Sequence, residues 1–587
     1  MQTYNADVAI VGAGGGGLRA AIEIARTLPD LKVALISKVY PMRSHTVAAE
    51  GGAAAVVRDD DSLEYHFNDT VSGGDWLCEQ DVVDYFVQNS ATEMVQLEHW
   101  GCPWSRQPDG HVNVRRFGGM KIPRTWFAAD KSGFHILHTL FQTSIQFPSI
   151  HRFDEHFVMD LMVEDGKVNG VLCFDMKNGE PRLISAPAVV LATGGAGRCY
   201  RFNTNGGIVT GDGMAIAYRH GVPLRDMEFV QYHPTGLLGS GILMTEGCRG
   251  EGGILVNKDG YRYLQDYGMG PETPVGQPKN KYMELGPRDK VSQAFWHEQK
   301  KGRVIETPLG DAVYLDMRHL GEKHLHERLP LICELAEQFA GVDPVKDPVP
   351  VRPVVHYTMG GIETDGVTAT RMPGLFAVGE CASVGLHGAN RLGSNSLAEI
   401  VVFGKVAGEQ AAKYAQAHAG VDAQQLLSQA QKRFGEFTSL LDGKGTENPA
   451  AIRDEMGDTM EEGVGIYRDA QGIQKTIDKL AELKERYRHV RVNDKSQVFN
   501  TDWLSTIELG YTLDVAQTMA YSALNRKESR GSHQRLDATE RDDVNFLQHT
   551  LAFYQQGTVP KIDYSPVKIT KSQPAKRVYG AEGEETK

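Results

Sequence analysis

Histidines and arginines that stand in glycine-rich loops, away from helical stripes, are the residues of this chain most suited to chemistry. His233 lies in YHPTG, and Thr245 and Glu246 precede Arg249 in TEGCRGEGG. Arg288 follows a Gly-Pro step, His356 opens HYTMGG, and Arg391 lies in GANRLGSNS. A guanidinium is planar and can meet a carboxylate with two N–H donors at once. Arginines and histidines that converge on a cofactor would therefore form an anion site. A single arginine is more often a partner in a surface salt bridge. The set stands out because each member neighbours a glycine or a domain junction. Cys248, beside Arg249, reads either as a thiol of lowered pKa or as a buried inert cysteine.

A cofactor has to be held against these residues, and the stretch PMRSHTVAAEGG from Pro41 to Gly52 is placed to receive one. It offers Ser44, His45 and Thr46, followed by Glu50, Gly51 and Gly52, and its small residues leave room for something large and flat. Before it comes a strand–loop–helix–strand unit. Asp7–Val11 is apolar, as in a strand buried on both faces, and GAGGGG places Gly12, Gly14 and Gly17 at dinucleotide spacing around Ala13, Gly15 and Gly16. Leu18, Ala21, Ile22 and Ala25 recur at helical intervals, and Lys32–Ile36 is a second strand. Glycines at these positions permit a tight turn, close approach of a pyrophosphate and close packing of helix on strand. The helix N-terminus supplies free N–H groups for phosphate.

Where an acid for the ribose of NAD is expected, Ser37 and Lys38 stand instead. FAD is left open, with Asp212 of TGDG as a substitute acid. Two later segments repeat the cofactor theme. Ala188–Thr193 is a buried strand ending in ATGGAG, and PGLFAVGE at 373–380 ends in Glu380, suited to ribityl hydroxyls. After it, GLHGANRLGSNSLAE runs as a polar loop into a helix. Arg391, Ser394, Ser396 and Leu397 would meet the flavin there, with the helix N-terminus aimed at its pyrimidine edge.

The elements needed to position these residues imply several domains, as expected for 587 residues. The fold class read from the pattern is α/β: a Rossmann-like FAD-binding domain with an inserted α+β capping domain, a helical bundle and an extended C-terminal segment. Residues 1–234 and 353–415 form the first, 235–352 the cap, 416–545 the bundle and 546–587 the C-terminal segment. His151–Pro181 reads as a small β-meander turning at Asp165-Gly166. The basic run Arg115–Arg124 is a phosphate contact or a surface feature. The tail beyond 560 suits another surface or disorder.

Composition narrows the partners. With 62 basic and 75 acidic side chains the formal net charge is −13, which argues against nucleic acid and against an anionic membrane surface. Seven cysteines without a CxxC pair fit reduced thiols and make a four-cysteine iron–sulfur site on this chain improbable. No metal site is expected. No apolar run reaches the ~18 residues of a bilayer span, and the chain enters a strand at once, leaving no room for a signal peptide.

Together RSHTVAAEGG, ATGGAG, EFVQYHPTG, TEGCRGEGG, HYTMGG, GLHGANRLGSNSLAE and RKESRGSHQR (526–535) resemble the flavoprotein subunit of the succinate dehydrogenase/fumarate reductase family across nearly the whole chain. The resemblance implies FAD attached to His45 through its 8α-methyl group. It implies a dicarboxylate held by His233, Thr245, His356 and Arg391, with Arg288 as proton donor and Glu246 and Arg249 as its relay. An iron–sulfur subunit, membrane anchor subunits reached through it, and quinol or quinone are the implied partners, at the cytoplasmic face of a bacterial inner membrane. Dehydrogenase-type members tend to carry glutamine where this chain has Glu50. With VYPMRSHTVAAEGG and YGMGPETP, that favours fumarate reduction to succinate. A succinate dehydrogenase, a soluble L-aspartate oxidase-like enzyme and a non-catalytic flavoprotein are the competing readings.

Overall fold

The computed structural model describes residues 1–270 and 283–578. Its organising layer is a five-stranded parallel sheet in the order Leu375–Ala377, Ala188–Leu191, Val8–Val11, Val33–Ser37, Ile150–Asp154. Three segments separated by almost 400 residues of sequence thus become neighbouring strands, and their C-terminal ends open on one crevice, where α/β sheets bind ligands. Val8–Val11 and Ala188–Leu191 are buried throughout because helices and a second sheet cover both faces. One face is covered by the helix Gly15–Thr27, itself packed on the long helix Asn395–Ala417. Glycines set that distance: a Cβ on Gly408 would lie 2.5 Å from the Ala20 carbonyl oxygen.

The other side carries a four-stranded sheet of Gln2–Asn5, Pro181–Ser185, Lys167–Asp175 and His156–Glu164. The hairpin turns at Asp165-Gly166, both at positive φ. The meander is shorter than the sequence suggests at its start, because Ile150–Asp154 pairs in parallel with Val33–Ser37 and belongs to the cofactor sheet. Phe153 is what the sequence pattern hides: it is buried in the core under that sheet.

A separate antiparallel sheet, Val230–Leu237, Val349–Thr358, Gly310–Asp316 and Ile254–Val256, forms the cap with its own core around Leu255, Phe295, Leu315 and Ile332. The strands Val230–Leu237 and Val349–Thr358 carry the chain into the cap and back, so the boundaries at 234/235 and 352/353 fall inside them.

Helices Ala423–Asp442, Pro449–Gly463, Ala470–Tyr487 and Thr501–Asn525 follow. The last is buried on nearly every side, its Trp503 stacked on Phe174 of the meander at 4.7 Å. Of the two readings of the tail, another surface or disorder, the described residues bear out the first, and the C-terminal segment is built onto the rest of the chain. Gln548–Phe553 and Lys561–Pro566 join a third sheet beside Leu224–Arg225. Beyond them the buried Gln80 carboxamide accepts the backbone N–H groups of Thr570, Lys571 and Ser572. A polar tail is ordered here because its backbone donors find a fixed acceptor.

Candidate active site

The crevice at the strand ends is a cavity of about 630 Å³, lined by Gly12–Gly16, Ser37, Lys38, Ser44, His45, Thr46, Glu50, Asp212, Glu380, Ser396 and Leu397. Ala13 is thus among the lining residues. Gly12 sits at φ +107°, and a Cβ there would lie 2.1 Å from the Ala192 carbonyl oxygen. A Cβ on Gly15 would meet Ile400 at 2.4 Å. The loop is therefore closed to side chains and leaves backbone N–H groups facing the cavity, which fits a pyrophosphate. Thr46 Oγ1 accepts the Gly15 N–H at 3.1 Å and ties this loop to the segment that carries His45.

Gly17, Gly51, Gly52 and Ser394 do not line the cavity, and the three glycines act through the backbone. A Cβ on Gly17 would lie 1.9 Å from Gly12 O, one on Gly51 would meet the Phe117 ring at 2.7 Å, and Gly52 has φ +131°. Ser394, at φ +64°, bonds Thr125 Oγ1 at 2.7 Å where the loop enters the helix.

Lys38 and Asp212 are joined: Lys38 Nζ lies 2.7 Å from Asp212 and 2.8 Å from Glu508 of the helix Thr501–Asn525. Burial opposes the Lys38 charge, yet the two carboxylates outweigh it and its pKa is raised. His45 begins a single 3₁₀ turn, His45–Ala48, and its Nδ1 accepts the Gly206 N–H at 3.4 Å. Burial, then the Arg198 charge, lower its pKa to about 4, so the imidazole is neutral at pH 7, with one ring nitrogen unprotonated. Glu380 accepts the Thr358 N–H at 3.0 Å, and burial pushes it up to about 7. Glu50 is driven well above its ordinary range by burial and by the neighbouring Asp130 carboxylate.

At one end of this cavity the cap and the cofactor domain meet. His356 lines the cavity, and its ring stands 5.1 Å from that of His233. Thr204 Oγ1 contacts His356 Nδ1 at 2.7 Å. The Thr235 backbone N–H donates to His233 Nδ1 at 3.2 Å, which leaves the imidazole proton on Nε2. That Nε2 is buried without a partner. Both histidines are held well below their ordinary pKa by burial and then by Arg288. Arg391 is fixed by Ser396 Oγ at 2.8 Å and lies 4.3 Å over the Tyr357 ring. Its Nε is an orphan too.

The cap contributes Thr245, which caps the short helix Glu246–Gly250 through the Gly247 N–H, and Arg288, which opens the helix Arg288–Lys300. Arg288 Nε donates to Glu246 Oε2 at 2.7 Å and Arg288 Nη1 to Gln231 Oε1 at 3.2 Å. Arg249 Nη2 is 3.9 Å from the same Glu246 oxygen, and its Nε and Nη2 lack hydrogen-bond partners. Burial favours the acid form of Glu246, but Arg288 and Arg249 prevail and lower its pKa. Two guanidinium groups, Arg288 and Arg249, thus face the one Glu246 carboxylate, which leaves one positive charge in excess and several unsatisfied donors in a buried space. Such a space suits a small dianion.

One sequence reading is corrected here, and one pair of alternatives is decided. Arg115 and Arg124 are neither phosphate ligands nor surface groups. Arg124 pairs with Asp61 and Asp69 in the interior, and Arg115 Nη2 donates to the carbonyls of Gly51 and Ala129. Cys248 is fully buried and its thiol is pushed well above the ordinary range by burial and then by Glu50, so it is the inert cysteine of the two readings. Residues 271–274 of YGMGPETP lie outside the described residues.

Sequence reasoning missed Gln231, Thr204, Tyr357, Asp130 and Glu508. Gln231 could have been found, since it stands two residues before His233 on a strand and so shares its face. Glu508 gives no such signal, because it reaches Lys38 across 470 positions.

The profile for FAD binding domains matches residues 7–397, and that for the fumarate reductase flavoprotein C-terminal region matches 453–579. A fumarate reductase flavoprotein subunit of Escherichia coli (strain K12) is 71% identical over 586 residues, covering 100% of this chain and 97% of the relative. A succinate dehydrogenase flavoprotein subunit of Rickettsia bellii is 41% identical over 603 residues, covering 98% of each. A solved structure described as quinol-fumarate reductase with menaquinol molecules superposes with a TM-score of 0.95 at 71% identity, covering 98% of this chain and 100% of that one.

Proposed function

This chain belongs to the succinate dehydrogenase/fumarate reductase flavoprotein family, and on that premise we propose how its residues divide the work of reducing fumarate to succinate. It is an FAD-dependent oxidoreductase of the fumarate reductase type. FAD, when bound, supplies the hydride; the side chains hold the dicarboxylate, polarise it and deliver a proton.

His45, neutral and lining the cavity, is the residue to which we assign the covalent 8α bond to the flavin. His233, Thr245, His356 and Arg391 hold the two carboxylates. The observation that carries this reading is the set of buried donors without partners, His233 Nε2, Arg391 Nε and Arg249 Nε, within a cluster of net positive charge. Preorganised donors of this kind stabilise negative charge that builds as the double bond is attacked, because they need not reorganise.

Arg288 protonates the carbon. A guanidinium is a weak acid, with a pKa of about 12.5 or more, but a developing carbanion is strongly basic and can take its proton. Glu246, bonded to Arg288 at 2.7 Å and beside Arg249, returns it. The cap excludes water from the site.

Relatives of this chain are fumarate reductase flavoprotein subunits, one of them solved as a quinol-fumarate reductase. We assign to this chain the corresponding partners: an iron–sulfur subunit that feeds electrons, membrane anchor subunits beyond it and quinol as their source, at the cytoplasmic face of the inner membrane. Among the described residues no helix is long and apolar enough to cross a membrane, so attachment through such partners is what the proposal requires. The higher identity to the fumarate reductase relative than to the dehydrogenase supports the reductive direction.

Arg288→Lys is the direct test. The acid assignment predicts a fall in fumarate reduction of about a hundred- to ten-thousandfold with flavin content unchanged. Turnover near that of the parent enzyme would remove Arg288 from the acid role.

A further inference from the structure

Between the cap and the cofactor domain, on the lining of the cofactor cavity beside Glu50, lies a carboxylate to which the chemistry above assigns no step. Asp130 belongs to the cofactor domain and is buried. Its Oδ2 accepts the backbone N–H groups of Leu331 at 2.7 Å and Ile332 at 3.3 Å. These are early donors of the cap helix Pro330–Ala340, whose own N-cap residue, Leu329, offers no side-chain acceptor. A helix start leaves such donors unsatisfied, and an acidic side chain also meets the positive end of the helix dipole. One domain therefore supplies the cap of a helix in the other.

Asp130 is tied to the cofactor side by its neighbours. Arg115 Nη2 donates to Gly51 O at 2.6 Å and to Ala129 O at 3.1 Å, bridging the Glu50–Gly52 turn and the residue before Asp130. The Gly133 N–H donates to Ala49 O at 2.6 Å, which fastens the same segment to the stretch that carries His45. The segment 129–133 thus touches the cofactor loop on one side and the cap on the other.

We propose that Asp130 is a positioning residue: it clasps the cap onto the cofactor domain and so holds Glu246, Arg249 and Arg288 of the cap against His356 and Arg391 opposite them. This rests on the reading of the site given under Proposed function. Loss of the clasp leaves every substrate-contacting group in place on its own domain but loosens the register between the two sets. The cost falls first on binding of the dicarboxylate, which needs both.

The test uses the assembled enzyme with Asp130→Ala and Asp130→Asn. The alanine variant should raise KM for fumarate by roughly tenfold, the size of a lost charged cap. Its flavin content should match the parent. Amide exchange in the peptide holding Leu331 and Ile332 should quicken by a similar factor. Asparagine keeps an oxygen acceptor and should restore KM to within about threefold of the parent. If the alanine variant does not accumulate, the asparagine variant still has to show the smaller KM rise and faster exchange. Unchanged KM and unchanged exchange would overturn the clasp, as would a lower melting temperature with parental KM. Failure of the parent enzyme itself to reduce fumarate would instead remove the functional reading, and the exchange comparison would still decide the clasp.

Discussion

Glu50 shows how much the state of one residue depends on what surrounds it. The sequence marks it only as an acid in a loop of small residues. In the structure its carboxyl is buried, with Oε2 unpartnered and Asp130 nearby, and its pKa is raised well above the ordinary 4.5. A carboxyl raised in this way stabilises the fold fully below its unfolded pKa, and that contribution is lost as pH rises through the folded value. Glu50→Gln keeps the neutral shape and removes the titration. Melting temperatures of the two proteins should therefore separate in favour of the variant as pH is taken from about 5 to about 9. A difference that stays constant over that range would show that Glu50 is ionised throughout. The histidines carry the opposite sign: His233 and His356 are depressed, so their contribution is present above the unfolded value of about 6.5 and is lost on acidification.

Elements explain why some of this was legible and some was not. The strands Val8–Val11 and Ala188–Leu191 could be read because buried parallel strands are uniform apolar runs, and GAGGGG could be read because its glycines have local steric causes. The tail was left open between another surface and disorder because its order comes from Gln80, almost 500 positions away, and no local pattern records that acceptor. Arg124 was misread for the same reason, since its partners Asp61 and Asp69 sit in a different segment. The packing of Gly15–Thr27 on Asn395–Ala417 gives a prediction with a built-in contrast. Gly408→Val places atoms against the Ala20 carbonyl and should cost about 1–3 kcal/mol, with weaker FAD retention as the phosphate-facing helix shifts. Gly435→Ala, in the helix Ala423–Asp442 with nothing within 4 Å of the added carbon, should instead gain about 0.5–1 kcal/mol from helix propensity. Thermal unfolding of both checks the pair; losses of equal size would mean that the close contact at Gly408 does not govern the interface.

At the scale of the whole molecule the site belongs to neither domain alone. The cofactor domain presents His45, His356 and Arg391, the cap presents Glu246, Arg249 and Arg288, and the strands Val230–Leu237 and Val349–Thr358 connect them. Sequence motifs named most of these residues, because each lies in a short glycine-flanked stretch, but only the fold shows that Arg288 bonds to Glu246 and Gln231 within one buried cluster. That cluster, with its positive charge and its orphan donors, is what the proposed dicarboxylate site rests on. The most direct measurement is the ratio of two rates in the purified holoenzyme, fumarate reduction driven by a reduced viologen and succinate oxidation with an artificial acceptor. The account predicts rapid fumarate reduction that exceeds succinate oxidation, with flavin still bound to the polypeptide after acid precipitation. Flavin released by acid together with no dicarboxylate turnover in either direction would contradict it.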